Sequence, residues 1–460
     1  MRTINIHELA ATCQFNRFHS KILLWCMLIM IVDGYELTVV GAALPAIMSD
    51  MQISATAGGF MAGSALFGAM VGAMLMGFLS DRYGRVRMMV LCIALFSLFT
   101  AAAGLTNDPV SFSILRFIAG LGTGGIVPII AAQMSEFSPL KLRTRMTSLV
   151  FAGAPLGAIL IALIAKVVVV AYGWQWVFYV GALPALMIPL LLKMMPESPA
   201  FLIRKGRERE LRSIAQEIDP TLELDEHTKI HGVRVAQIKQ RHTPVRSLFQ
   251  EGRGFSTLMI WIAFITGLFM AYALSSWLTK LMEMAGYTLG SALNFLVVLG
   301  FGSMVGAVTG GWLADKLNIK YVMAGFYLLA ALMLTLLGYT RSTTLLYLIV
   351  FLVGASAQST QLLAYAYAGD YYPSSLRATG VGFASGVGRI GAIGAPIVIG
   401  FLITLELSFA QNFMAVGLAG LIGGVAIMFI DQSRADSTLI KQAIDTTQGR
   451  PLAEPPSTKV

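Results

Sequence analysis

The chain has little charge. Only 12% of its 460 residues are Asp, Glu, Lys or Arg, against about 25% in an ordinary soluble domain. With 56% hydrophobic residues, a soluble protein of this length could not cover its surface with polar groups, so that class is excluded. The three cysteines, Cys13, Cys26 and Cys92, form neither a disulfide framework nor a metal-ligand spacing. No phosphate-binding loop, nucleotide fingerprint or nucleophile elbow occurs. An enzyme is therefore not expected, nor any cofactor. No basic patch is interleaved with aromatics, so no nucleic-acid partner is expected either.

What the chain does have is apolar length. Its mean hydropathy is +0.73, and it carries 46 glycines and 25 methionines. Small residues let membrane helices approach closely, because lipid gives no hydrophobic drive between them. Twelve apolar stretches have about the 20 residues that cross a bilayer. They run near 22–46, 56–79, 87–106, 111–133, 146–170, 175–193, 255–282, 290–313, 321–340, 344–367, 378–404 and 411–430. A polar segment over 194–254 divides them six plus six and reads as a solvated linker with some helix, notably at Arg207-Glu208-Arg209-Glu210.

One short pattern occurs twice. Gly77-Phe78-Leu79-Ser80-Asp81-Arg82-Tyr83-Gly84-Arg85 returns 234 residues later as Gly311-Trp312-Leu313-Ala314-Asp315-Lys316-Leu317-Asn318. The same offset relates Pro139 to Pro373, Arg143 to Arg377, Glu136 to Asp370 and Gly120 to Gly354. Matches at one fixed offset imply an internal duplication, an architecture common among secondary transporters. The fold expected is all-α and integral to the membrane: twelve transmembrane helices in two six-helix bundles related by duplication. The boundaries read as an arm over 1–21, bundles over 22–193 and 255–430, a central loop over 194–254, and a tail over 431–460.

Lys and Arg set the orientation. All but five of the 33 lie in the termini, the central segment or the connections on the same side. Lys166, Lys280 and Arg341 lie at opposite-side ends, and Arg116 and Arg389 fall inside spans. Both termini are thus predicted to be cytoplasmic, in a bacterial-type inner membrane, and the net charge of +9 is a topology signal. The polar first twenty residues do not read as a cleaved signal.

Charges within the spans are candidate functional groups, since mid-membrane charges are costly and normally face a cavity or the bundle interior. Asp33 and Glu36 are three residues apart and share a helix face. Low dielectric and a neighbouring like charge both favour the neutral form of a carboxyl, as proton coupling requires. The alternative is a permanent pairing with a cation such as Arg116. Arg389, within Gly386-Val387-Gly388-Arg389-Ile390-Gly391, has a guanidinium fork suited to a carboxylate, and its glycines would leave room beside it. Arg116 could orient Asp33, or snorkel to the interface. Tyr35, Trp277, Gln358, Gln361 and Tyr365 could line an aromatic substrate's cavity, although Trp and Tyr also form interfacial belts. Asp81, Arg82 and Arg85, with Glu136, Arg143, Asp315, Asp370 and Arg377, lie at matching loop positions on the basic side, where the cations among them also set topology. With no nucleotide site, the energy for transport must come from an ion gradient or from the substrate's own.

These motifs carry a resemblance. The Gly77–Arg87 segment, Arg116-Phe117-Ile118-Ala119-Gly120-Leu121-Gly122 and Gly153-Ala154-Pro155-Leu156-Gly157 resemble signatures of the major facilitator superfamily. Pro196-Glu197-Ser198-Pro199 resembles the end of helix six in its sugar-porter-like and organic-acid branches. Asn16-Arg17-Phe18-His19 and Asp33-Gly34-Tyr35-Glu36 resemble the aromatic acid:proton symporter family. Glu36 stands where that family usually has Asp, and the second loop signature lacks the Gly and the first Arg. The resemblance implies a monomeric symporter importing a benzoate-type acid with protons, with a cytoplasmic gate formed by Asp81, Arg82, Arg85, Glu136, Arg143, Asp315, Asp370 and Arg377. A drug exporter, a sugar or other organic-acid porter, and a non-transporting receptor are the other readings.

Overall fold

The computed structural model describes residues 3–220, 222, 229–231, 245–373 and 376–435. Among the described residues, twelve helices are long and apolar enough to cross a membrane. The duplication governs their bounds. The third span, Arg85–Ala103, matches the ninth, Ile319–Leu337, residue for residue at the 234 offset. The fourth, Pro109–Phe137, matches the tenth, Thr343–Tyr371. The sixth, Gln175–Met194, matches the twelfth, Phe409–Met428. Packing repeats as well. A methyl group added to Gly68, Gly72 or Gly120 would strike the carbonyl of Phe117, Leu121 or Ala65. Their counterparts Gly302, Gly306 and Gly354 face Phe351, Ala355 and Leu299 in the same way. Only a missing side chain permits such backbone contact.

The first span runs over Arg17–Asp50, longer than the apolar stretch alone predicts, because Asn16 caps it. Its side chain accepts from the Phe18 and His19 amides, satisfying donors that every helix start leaves free. The sixth span is interrupted near Pro184 and Pro189, where a 3-10 turn over Leu183–Met187 separates two helical pieces. Proline removes a helix donor and crowds the preceding turn.

The arm and the central segment share one face of the molecule. Strand Thr3–Asn5 pairs in parallel with Lys229–His231. The Asn16 amide group donates to the carbonyls of Glu217 and Ile218 at 3.0 Å. Helix Glu208–Ile218 buries Leu211, Ile214, Ala215 and Ile218, so its charged sequence hides an apolar stripe. On the far face the two bundles are linked by Thr56 to Thr404 at 2.9 Å and by Lys166 to Asn294 at 3.0 Å.

Candidate functional site

Asp33 and Glu36 are both buried, but their surroundings differ. Glu36 belongs to a network within the first bundle that engages its Oε2 and leaves its Oε1 and Arg116 Nε without partners. Arg116 of the fourth span donates through Nη1 to Glu36 Oε2 at 2.9 Å and through Nη2 to the Glu36 carbonyl at 2.9 Å. Thr100 of the third span donates to the same carboxylate oxygen at 2.6 Å, and Arg116 Nη1 also reaches Thr100 Oγ1 at 2.5 Å. Phe178 covers the guanidinium, its ring centroid 6.0 Å away. Arg116 thus serves Glu36, not Asp33, and its burial removes the snorkelling alternative. Tyr35 donates to the Val177 carbonyl at 2.7 Å, which ties the first span to the sixth.

Asp33 has no such cage. Its Oδ1 is buried without a hydrogen-bond partner. The charge acting on it most strongly is Arg389, on the eleventh span of the other bundle. Tyr272, on the seventh span, lies in the field of Arg389, Asp33 and Tyr365 together. Sequence reading passed over Tyr272; its only signal was a hydroxyl-bearing residue midway along an apolar helix. The Tyr365 hydroxyl lies 2.8 Å from that of Ser385, and its ring meets Phe264 edge-on at 5.0 Å. Gln358 and Gln361 sit half-buried on the same helix, at spacings that place them on the Tyr365 face.

Packing bears on two of these readings. Trp277 is wholly buried and donates through Nε1 to the Pro396 carbonyl at 2.9 Å. It joins the seventh and eleventh spans from inside and is not a belt residue. The glycines flanking Arg389 do more than leave space. A side chain at Gly388 would meet Leu268 and Phe264, and one at Gly391 the Ile265 carbonyl, while Gly386 faces open space. Two of the three let the eleventh span lie against the seventh.

The expected gate residues fall into two groups. Arg85 pairs with Glu136 at 2.7 Å. Arg85 also bonds Glu197, whose Oε1 accepts from the amides of Arg85, Val86 and Ser198 at 2.7, 3.3 and 2.9 Å. A carboxylate there suits the positive end of the third span. Gly84 makes the preceding turn at φ +103°, a conformation other residues rarely adopt. Gln133 donates to the Pro196 carbonyl at 2.8 Å. The Glu197 role was not legible in the motif that contains it. Arg143 is half-buried with its Nε unpaired. Arg82 is exposed beside the Tyr83 ring. Asp315, Asp370 and Arg377 are exposed at the matching end of the second bundle. The Asp81 side chain lies outside the described residues. No cluster of metal-binding side chains occurs among the described residues.

Known proteins place this geometry in context. The model of the Major Facilitator Superfamily matches residues 26–396 and 311–455. The benzoate transport protein of Acinetobacter baylyi is 36% identical over 439 residues, covering 94% of both chains. The gentisate transporter of Corynebacterium glutamicum is 32% identical, covering 86% of this chain and 84% of that one. Among solved structures, the xylose transporter of E. coli in a partially occluded inward-open conformation matches with a TM-score of 0.72. The identity is 17%, and the match covers 92% of this chain and 100% of that one. That last likeness concerns the fold alone.

Proposed function

The chain belongs to the major facilitator superfamily, and from that premise we propose that it imports an aromatic carboxylate together with a proton, by alternating access. The face bearing the arm and the central segment is the cytoplasmic one, on the evidence of its Lys and Arg, and the membrane is the inner membrane of a bacterium. The names of the relatives support the substrate class: benzoate for one and gentisate for another.

One observation carries the mechanism. A buried carboxylate on one bundle, lacking a hydrogen-bond partner at Oδ1, is acted on by a cation on the other bundle. Arg389 is the anchor for the substrate carboxylate, which its fork can hold bidentately. Asp33 carries the proton. With substrate absent, Arg389 and the ionised Asp33 attract each other across the interface. A substrate carboxylate competes for that cation, and a proton neutralises the acid it displaces. The loaded site then has no unpaired charge, which allows it to be occluded in low dielectric. Glu36 keeps its pairing with Arg116 throughout and serves as a strut for the first, third and fourth spans. Arg85, Glu136 and Glu197 hold the cytoplasmic end of the first bundle rigid.

The test is uptake of labelled benzoate-type acids into proteoliposomes with and without an inward proton gradient, beside counterflow. Asp33→Asn is expected to keep counterflow and to lose gradient-driven accumulation. If it still accumulates substrate with unchanged pH dependence, Asp33 is a structural acid and the mechanism is wrong.

A further inference from the structure

This inference rests on the reading that an aromatic carboxylate docks on Arg389. Ser385 lies four residues before Arg389 on helix Arg377–Thr404. The two residues share a helix face, their Cα atoms offset along the axis by about 6 Å. That offset is comparable to a benzene ring with its carboxylate at one end and a substituent at the other. At the far end of the offset stands a hydroxyl pair, Ser385 and Tyr365, 2.8 Å apart.

The pair is placed by packing. Phe264 holds the Tyr365 ring edge-on with an interplanar angle of 84°. Tyr365 and Ser385 are both half-buried, whereas Tyr327 and Tyr371 are sealed in the core at 0% exposure. The Tyr272 hydroxyl lies in the fields of Arg389, Asp33 and Tyr365 alike, so Tyr365 and the charged groups all stand within electrostatic reach of one hydroxyl. Among the described residues neither Tyr365 nor Ser385 has another side-chain hydrogen bond.

Two hydroxyls that bond each other use one of their two protons. The second proton and several lone pairs are left over. An unsubstituted benzoate ring offers those groups nothing and would strip water from them. A ring hydroxyl can both accept and donate there. Sites built to bond a substrate hydroxyl discriminate strongly against the analogue that lacks it, because their own polar groups are then left unpaired. We infer that the Tyr365–Ser385 pair reads a ring hydroxyl at the para or meta position, so that the carrier takes hydroxylated aromatic acids in preference to the unsubstituted acid. An ortho hydroxyl lies beside the carboxylate and is too far from the pair to be read.

The experiment uses the full-length protein in proteoliposomes under an inward proton gradient. Initial uptake of labelled 4-hydroxybenzoate, 3-hydroxybenzoate and benzoate is measured for wild type, Tyr365→Phe and Ser385→Ala. Wild type is expected to show a lower apparent KM for the hydroxy acids. Each variant should raise that KM by about threefold to tenfold relative to benzoate, the worth of one hydrogen bond. A role confined to helix packing would change all three acids in parallel, and that result overturns the inference. So does a wild type that prefers benzoate, which leaves the transport reading intact. Wild type that moves none of the acids overturns the transport reading, and this inference with it.

Discussion

The two bundles share a backbone plan and differ in their charges. At the 234 offset, Glu36, Thr100 and Arg116 of the first bundle become Met270, Leu334 and Val350 of the second. All six are buried, the second three at 1% exposure or less. One bundle fills the shared space with an ion pair and a hydroxyl, the other with hydrocarbon. Asp33 maps to Gly267, and Arg389 maps back to Pro155. The acid and the cation of the candidate site therefore have no counterparts across the duplication. The lesson is that the fold does not need the buried ion pair at this position, since its own second copy manages without one. What the second bundle lacks, the first retains for another reason, whether rigidity beneath Asp33 or specificity of packing.

The comparison can be broken most directly by transplanting one bundle's solution into the other. Glu36→Met alone leaves the Arg116 cation buried and unpaired, with an expected cost of about 3–5 kcal/mol, read as a large fall in the unfolding temperature of the solubilised protein. Glu36→Met with Thr100→Leu and Arg116→Val copies the second bundle and should recover most of that loss. If the triple variant is as unstable as the single one, the two bundles are not interchangeable here and the network does more than fill space.

A second contrast concerns Arg389, which has only a proline opposite it. Arg389→Ala should nearly abolish uptake, and Arg389→Lys should weaken it by about tenfold to a hundredfold, the range for a lost bond to a charged group. Fold should survive in both, because the residue is half-buried and, among the described residues, no other span depends on it for a hydrogen bond. Unchanged substrate affinity in Arg389→Ala would move the anchor to another residue.

The smallest effects are expected at the helix starts. In the first bundle Glu197 caps the third span. In the second, Asn318 caps the matching ninth span through the Lys320 amide at 3.0 Å, and the Lys320 ammonium donates to the Ile430 carbonyl at 2.7 Å. Asp431, the counterpart of Glu197, is exposed and occupied with Ser433 and Arg434. Glu197→Gln should cost about 0.5–2 kcal/mol, as loss of a charged cap does, and Asp431→Asn under about 0.5 kcal/mol, as at most surface sites. Equal losses in thermal unfolding would show that the two joints are equivalent after all.

Much of this was legible in the chain. Hydropathy located twelve spans, and the fixed offset revealed the duplication, because both are properties of the sequence taken linearly. Asp33, Glu36, Arg116 and Arg389 stood out because charge is rare in apolar helices. Their partners did not. Helical spacing places Asp33 and Glu36 on one face, but it cannot tell which of them faces the fourth span, and so Arg116 was free to be assigned to either. Thr100 and Tyr272 carry no charge and look like ordinary span residues. Glu197 lies in a polar stretch where a carboxylate is unremarkable until its three amide partners are brought beside it. The first span's early start depended on Asn16, whose capping role shows only once the helix is drawn past the apolar run.

The order in which the polypeptide is made gives the two acids of the first span different histories. Synthesis runs from the N-terminus, and domains generally fold in that order. The cation that meets Glu36 lies 80 residues downstream, on the fourth helix to enter the membrane. The cation whose field acts on Asp33 is on the eleventh. The first bundle can therefore be assembled, with its strut locked, while Asp33 still faces no positive charge. A ribosome stalled after the sixth span would hold a half-protein whose internal ion pair is complete and whose other buried acid, Asp33, awaits the second half.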